Sequence, residues 1–385
     1  MRIAYLLTEF PGLTETFVVT ECELLRKAGL EVIPYSFRPA SYPDLRTPLA
    51  TAWAARTQRP SRLSPLALGR AWVGQHKRAR AAIDILTSHR AADWRERLGG
   101  WGALPWCATV AEDLQQRGVD HIHAHFARGA ATLAWMTSTL SNIPFSFTAH
   151  AFGVHRSTPS ALRRKCEAAA FVRATHRSFG DRLPNAIHIP TPLLLDELPF
   201  KAPHTPGSAL QVVTVARLVP KKGIDLLPAL RDQLRKAGIS AEFTVIGPGD
   251  TAAYQAPGIR CRGPLSHQEA LKSIQEADLY LQPCRIAPDG DRDGLPVSLL
   301  EAFALGTPSV ATRVAGIPEL FPDALSHQLA PADNVDALAQ IMTGLWARPQ
   351  RWAEIARSQR SVVEQRFGPC AVDALIGRFE RHRCG

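Results

Sequence analysis

Short apolar runs alternate with helix-length amphipathic segments twice along this chain, and that alternation limits the folds open to it. Strands separated by helices of ten or more residues cannot pair as hairpins; they pair in parallel, with the helices crossing over the faces. In the first series, residues 3–7, 31–36, 121–126, 144–148 and 187–189 read as strands, and 14–28 and 130–140 as helices. Residues 191–210 are proline-rich and follow neither period, so they read as a linker. A second series follows, with strands at 212–216, 242–246, 259–262, 279–282 and 309–312 and helices at 224–237, 268–277 and 296–305. Two further helices, 335–345 and 350–365, close it. The expectation is α/β: two Rossmann-like domains with parallel sheets facing across a cleft, over residues 1–195 and 205–368. A C-terminal helix, 370–385, is expected to pack back on the first domain. Ligands of such sheets bind beyond the carboxyl ends of the strands.

Composition narrows the class further. A chain of 385 residues can bury two cores without staples. Its seven cysteines are scattered and form no C-x-x-C pair, which argues against a zinc ribbon or a disulfide framework and for a reducing cytoplasm. Glu9 and Pro11 cut short the first apolar run, so no signal peptide is expected, nor is a membrane-spanning helix. The net charge of +10 is uneven: residues 51–100 carry ten Lys/Arg against three Asp/Glu. With Trp53, Trp72, Trp94 and Trp101 interleaved, that stretch suits an anionic membrane surface. An ordinary basic helix with its tryptophans turned inward fits equally well. No nucleic-acid-binding module accompanies the charge, so no nucleic-acid partner is expected. No G-x-G-x-x-G follows either first strand, which argues against a nicotinamide dehydrogenase.

The chemistry-bearing residues gather at strand ends. Arg217-Leu218-Val219-Pro220-Lys221-Lys222-Gly223 leaves one strand and opens a helix, placing cations beside free backbone N–H groups as an anion site would. Residues 289–301 resemble a calcium loop, but the twelfth position is Leu300 and Glu301 comes one residue late, so an EF-hand is excluded. The segment is better read as an acidic loop running into a helix. Asp293 and Glu301 then bracket the helix start and can accept hydroxyls of one ligand. Alternation puts His121, His123 and His125 on one strand face. No carboxylate or cysteine beside them in sequence completes a zinc set, so packing is expected there and no metal.

These segments resemble the retaining family 4 glycosyltransferases of the GT-B fold, and among them the exopolysaccharide and colanic-acid type. Asp293…Glu301 is similar to their E-x7-E motif, with Asp where the family usually has Glu. Arg217…Lys222-Gly223 resembles RLVxxKG, Gly247-Pro248-Gly249 the glycine-rich turn, and Thr312…Gly316-Ile317-Pro318-Glu319 the T…GIPE loop. In the first half, Phe10-Pro11-Gly12 through Phe17 is similar to the FP…SETF opening. His121–Phe126 resembles H-x-HAHF, and Phe147–Ala151 resembles FTAHA.

The resemblance implies transfer of a sugar from a UDP- or GDP-sugar to a saccharide or lipid-linked acceptor. The expected place is the cytoplasm, peripheral on the inner face of the membrane. It implies that Arg217 and Lys222 hold the diphosphate, Gly12 and Gly247 let the backbone approach the donor, and Glu301 holds the ribose. His150 and Asp293 would sit at the reacting sugar. No cofactor is expected. A nucleotide-sugar-binding scaffold without transfer, or a nucleotide-sugar epimerase, would use the same residues. The shortened acid at position 293 is the feature that favours the scaffold.

Overall fold

The structure, a computed structural model, describes residues 1–383 apart from 14, 46, 61–64, 89–93 and 184. Residue 14, read above as the start of a helix, thus lies outside the described residues. The chain divides into two compact units, Met1–Pro192 with Pro369–Gly385, and Leu193–Gly368.

The first unit is a six-stranded sheet: β1 (Arg2–Glu9), β2 (Glu31–Arg38), β3 (His121–His125), β4 (Phe145–Ala149), β5 (Phe171–Ala174) and β6 (Ile187–His188). Its order is β2-β1-β3-β4-β5-β6 and every pairing is parallel. The strand order reverses between β1 and β3, where a crevice for ligands is expected at the carboxyl ends. One face is apolar: Ala4, Leu6, Ile122, Ala124 and Phe147 pack with Trp106, Val110 and Leu133 of the covering helices. The other face is polar. The register sets Tyr5 opposite His123 and His123 opposite Ser146, and in the next row His125 opposite Thr148 and Thr148 opposite Arg173. The helices Thr16–Lys27 and Pro369–Arg381 belong to the same unit.

Two features of this unit depart from the sequence reading. Residues 171–174, read as no strand, form β5. The segment is four residues long and covered on both faces, so it shows no apolar–polar alternation, and Arg173 interrupts its apolar run. The span 40–105, to which no strand or helix is assigned above, contains among its described residues the α-helices Pro48–Arg56 and Pro65–Ser88 and the start of Trp94–Gln116.

The second unit repeats the plan with β7 (Leu210–Val215), β8 (Ala241–Ile246), β9 (Ile259–Cys261), β10 (Leu279–Gln282), β11 (Ser309–Thr312) and β12 (Leu329–Ala330). The order is β12-β11-β10-β7-β8-β9, again all parallel, with the reversal between β7 and β10. Apolar cores cover both faces: Ile274, Tyr280 and Phe303 lie on one side, Leu230, Leu281 and Met342 on the other. The expected linker is partly core. Leu193 and Leu198 are buried in this unit, and the Leu193 N–H donates to the Phe367 carbonyl at 2.8 Å. Two leucines with a remote partner leave no periodic mark in the sequence. Among the described residues no helix is long and apolar enough to cross a membrane.

Candidate functional site

In the second unit the predicted residues converge on the carboxyl ends of β7 and β10. Arg217 lies two residues beyond β7 and is exposed, with no ion-pair partner among the described residues. Gly247 ends β8 at φ 149°, where a Cβ would run into the Ala216 carbonyl oxygen; only glycine lets the two strand ends pass this closely. Lys221 and Lys222 form one 3-10 turn, Pro220–Lys222, closed by Gly223 in the left-handed region. Gly223 lies against the carbonyl of Pro283, the residue after β10, so both lysines are drawn between β7 and β10.

The lysines are buried and neutralised by the acidic loop. Lys222 Nζ pairs with Asp293, while Lys221 Nζ lies 3.1 Å from Asp291 Oδ2 and 3.8 Å from Asp293 Oδ1. Burial would raise the Asp293 carboxyl, but Lys222 and Lys221 hold it below the usual carboxylate range. Burial would likewise lower Lys222, and Asp293 raises it instead. Both are therefore charged. The sequence reading gave Lys222 and Asp293 separate parts of a ligand; the structure brings them onto each other.

Glu301, in the first turns of the helix Val297–Leu305, is buried, and its Oε1 accepts from His267 Nε2 at 2.7 Å. Burial lowers the His267 pKa, but Glu301 more than offsets this and the net direction is upward. His267 is the first residue of a helix begun by a Ser266–Glu269 capping box, so a rigid element presents the ring. Ser298 Oγ donates to the Val215 carbonyl at 2.9 Å, fastening the helix of Glu301 to the end of β7.

In the first unit His150 follows β4 directly and caps the short helix Ala151–Arg156. Its ring is half-buried, with the Phe17 and Phe126 rings at 4.9 and 4.7 Å, and its Nε2 lies 3.1 Å from His125 Nδ1. His125 Nε2 in turn lies 3.0 Å from Glu21 Oε1, which also accepts from Tyr5 OH at 2.7 Å, and Glu21 Oε2 pairs with Arg173. Burial would raise Glu21, but Arg173 and His125 pull it well below the carboxylate range. A second chain runs along the same face. His121 Nδ1 donates to the His382 carbonyl at 3.1 Å, and Ser146 Oγ lies 2.8 Å from both His121 Nε2 and His123 Nδ1. Thr148 Oγ1 meets His123 Nε2 at 2.9 Å.

The sequence reading found no acid to complete the histidine row, and the fold supplies one: ligand atoms of Glu21, His123 and His125 lie within 4.8 Å of one another. Both nitrogens of His123 are nevertheless engaged by hydroxyls, and Glu21 serves Tyr5, His125 and Arg173. The group is thereby satisfied as a hydrogen-bond network. Gly12 lies half-buried in the loop after β1, near the Glu15 side chain, without a left-handed backbone.

Glu21, Arg173, Tyr5 and His267 were missed in the sequence. For Glu21 a signal exists: it occupies the apolar stripe of its helix between Phe17 and Leu25, where a lone acid needs a buried partner. The basic span is also corrected. Trp53 is only 1% exposed and its Nε1 donates to Glu23 at 3.2 Å, so it is not available to a membrane. The side chains of Trp72 and Trp94 lie outside the described residues.

The family described as glycosyl transferases group 1 matches residues 209–348. The amylovoran biosynthesis glycosyltransferase AmsK of Erwinia amylovora is 34% identical over 167 residues, 41% of either chain. The colanic acid biosynthesis glycosyltransferase WcaL of Escherichia coli K12 is 32% identical over 179 residues, 44% of this chain and 43% of that one. The matches thus span about two fifths of these relatives' length. Among solved structures, HepE of Anabaena, crystallised with UDP and glucose, superposes with a TM-score of 0.70 at 15% identity, covering 99% of both chains. That likeness concerns the fold. The likeness to glycosyl transferases group 1 thus lies in residues 209–348, within a chain whose fold is that of the GT-B protein HepE.

Proposed function

We propose that the chain is a retaining glycosyltransferase, which moves a sugar from a nucleotide diphosphate to a saccharide or lipid-linked acceptor in cell-surface polysaccharide assembly. The observation that carries the reading is the gathering of Arg217, Lys221 and Lys222 with Asp293 and Glu301 at the strand-order reversal of the second unit. Exposed, and without an ion-pair partner among the described residues, Arg217 can take a diphosphate bidentately. The lysines would share their charge with it while Asp293 accepts from the sugar. Glu301, steadied by His267 through one oxygen, keeps the other for the ribose.

In the reaction the anomeric carbon–oxygen bond to the diphosphate breaks as the bond to the acceptor oxygen forms on the same face. The acceptor's proton passes to the leaving phosphate oxygen. Charge on the leaving group is met by the three cations, so no metal or other cofactor is required in this reading. His150 would hold a hydroxyl of the reacting sugar. The kinship with AmsK and WcaL supports the polysaccharide setting, and the fold of HepE, a UDP-bound protein, makes UDP donors the first to try.

A thermal-shift series with UDP, GDP, ADP and their sugars, followed by turnover assays, tests the reading. The expectation is one stabilising nucleotide, and a loss of about 10²–10³-fold in turnover for Arg217→Ala and for Lys222→Ala with the fold intact. Near-normal turnover in both variants would discard the assignment. Binding without any turnover would mark a scaffold, and conversion of donor without acceptor an epimerase.

Attachment to an anionic leaflet is the finer part of the proposal. On the helix Pro65–Ser88, Val73 is 85% exposed and lies at helical spacing with exposed Lys77 and Arg80; Trp101 is 42% exposed. Co-sedimentation with liposomes that did not respond to anionic lipid would remove it.

A further inference from the structure

We infer that Glu21 and His125 are positioning residues that hold His150 as a neutral imidazole protonated on Nε2, so that its Nδ1 meets a ligand as a lone pair and takes a hydroxyl rather than an anion. Arg173 is fixed on three sides: Nε donates to the Ile189 carbonyl at 2.9 Å, one terminal nitrogen to the Pro190 carbonyl at 2.6 Å, and the other pairs with Glu21 Oε2. Arginine keeps its charge, so the carboxylate beside it is ionised and can only accept.

It follows that His125 Nε2, 3.0 Å from Glu21 Oε1, carries a proton. A second proton on His125 would add a buried cation next to an ion pair that is already balanced, and both His125 and Arg173 are about 1% exposed. His125 is therefore neutral and its Nδ1 is a lone pair. That lone pair faces His150 Nε2 at 3.1 Å; two lone pairs at this distance repel, so the proton between them belongs to His150. A neutral His150 then has its other lone pair on Nδ1, which makes no hydrogen bond among the described residues.

The surroundings agree. The titratable and charged groups acting on His150 are His125, Arg173, Glu21 and His176, with Phe17 and Phe126 against the ring. Burial first, with the Arg173 charge adding to it, pushes its pKa well below the ordinary histidine value. A lone pair at Nδ1 repels phosphate and carboxylate and accepts from a hydroxyl. That the hydroxyl belongs to a sugar rests on the proposed function; the tautomer does not.

The test is long-range proton–nitrogen NMR of 15N-histidine-labelled full-length protein without ligand, with the His150 signals identified by their loss in His150→Gln. The expected wild-type result is the Nε2–H form throughout pH 8 to 6. In His125→Leu the two tautomers should mix. In His125→Asn, whose Oδ1 can stand where Nδ1 stood, the Nε2–H form should return. An Nδ1–H form or an imidazolium at pH 7 in the wild type overturns the inference, whether or not any variant folds and whether or not the chain transfers sugar. If it does transfer sugar, His125→Leu should lower kcat about tenfold at similar donor KM, with His125→Asn recovering most of the loss. Unchanged kcat in a folded His125→Leu would equally count against a positioning role.

Discussion

At the scale of single residues, Gly247 shows how much of the second unit's site depends on backbone that has no side chain. Its φ of 149° and the carbonyl of Ala216 both exclude a Cβ. Gly247→Ala is expected to cost at least about 2 kcal/mol and to move the Arg217 backbone, weakening nucleotide binding with it. Gly207→Ala, where nothing lies within 4 Å, should stay within about 0.5 kcal/mol of wild type. Urea unfolding and nucleotide titration of the two variants measure the difference. The glycine is visible in the sequence as part of Gly247-Pro248-Gly249, but the reason for it is not. The clash is with residue 216, which reaches it only because β7 and β8 pair.

At the scale of elements, the polar face of the first sheet makes that unit sensitive to acid. Burial pushes His121 down to about 4, and His123 and His150 are also held well below the ordinary histidine value. These groups bind a proton far more readily in the unfolded chain. Their contribution is complete above the unfolded value of about 6.5 and is lost as the pH falls below it. Each can contribute a slope of at most about 1.4 kcal/mol per pH unit, so the unit should lose stability steadily as the pH falls from 6 to 5. Glu21, with its lowered pKa, adds loss of the same sign at lower pH. His267 runs the other way: its raised pKa stabilises the second unit below about 6.5 and the benefit fades as the pH rises through the folded value. Pulse proteolysis in urea at pH 7, 6 and 5, with fragments assigned to each unit, should show the first unit weakening towards acid. Equal protection of the first unit at pH 7 and 5 would contradict this. The rows responsible are half legible in sequence: the alternation of His121, His123 and His125 against Ser146 and Thr148 can be read, whereas their alignment is set by the register of β3 with β4.

At the scale of the whole chain, the last helix completes the first unit, although the second unit lies between them in sequence. Phe379 is fully buried, with its ring 5.3 Å from those of His121 and His123 and 5.7 Å from Phe171. The His382 carbonyl accepts a hydrogen bond from His121 Nδ1, and Arg383 pairs with Asp120 at 3.0 Å. Phe379→Ala should therefore cost about 3–4 kcal/mol, and hydrogen exchange should report the loss in residues 1–192 rather than 193–368. Loss confined to the second unit would refute that assignment.

The sequence by itself determined the two parallel α/β series and the strand-end positions of Arg217, Lys222, Gly247 and the acids at 293 and 301. These follow from local periodicity and from turn chemistry, which short windows of chain express. The tertiary structure decided which buried charges are satisfied and by whom: Glu21 meets His125 and Arg173, 104 and 152 residues away, and Lys222 meets Asp293. A buried charge is tolerable only beside its partner, and no local pattern records a partner that folding brings from elsewhere in the chain.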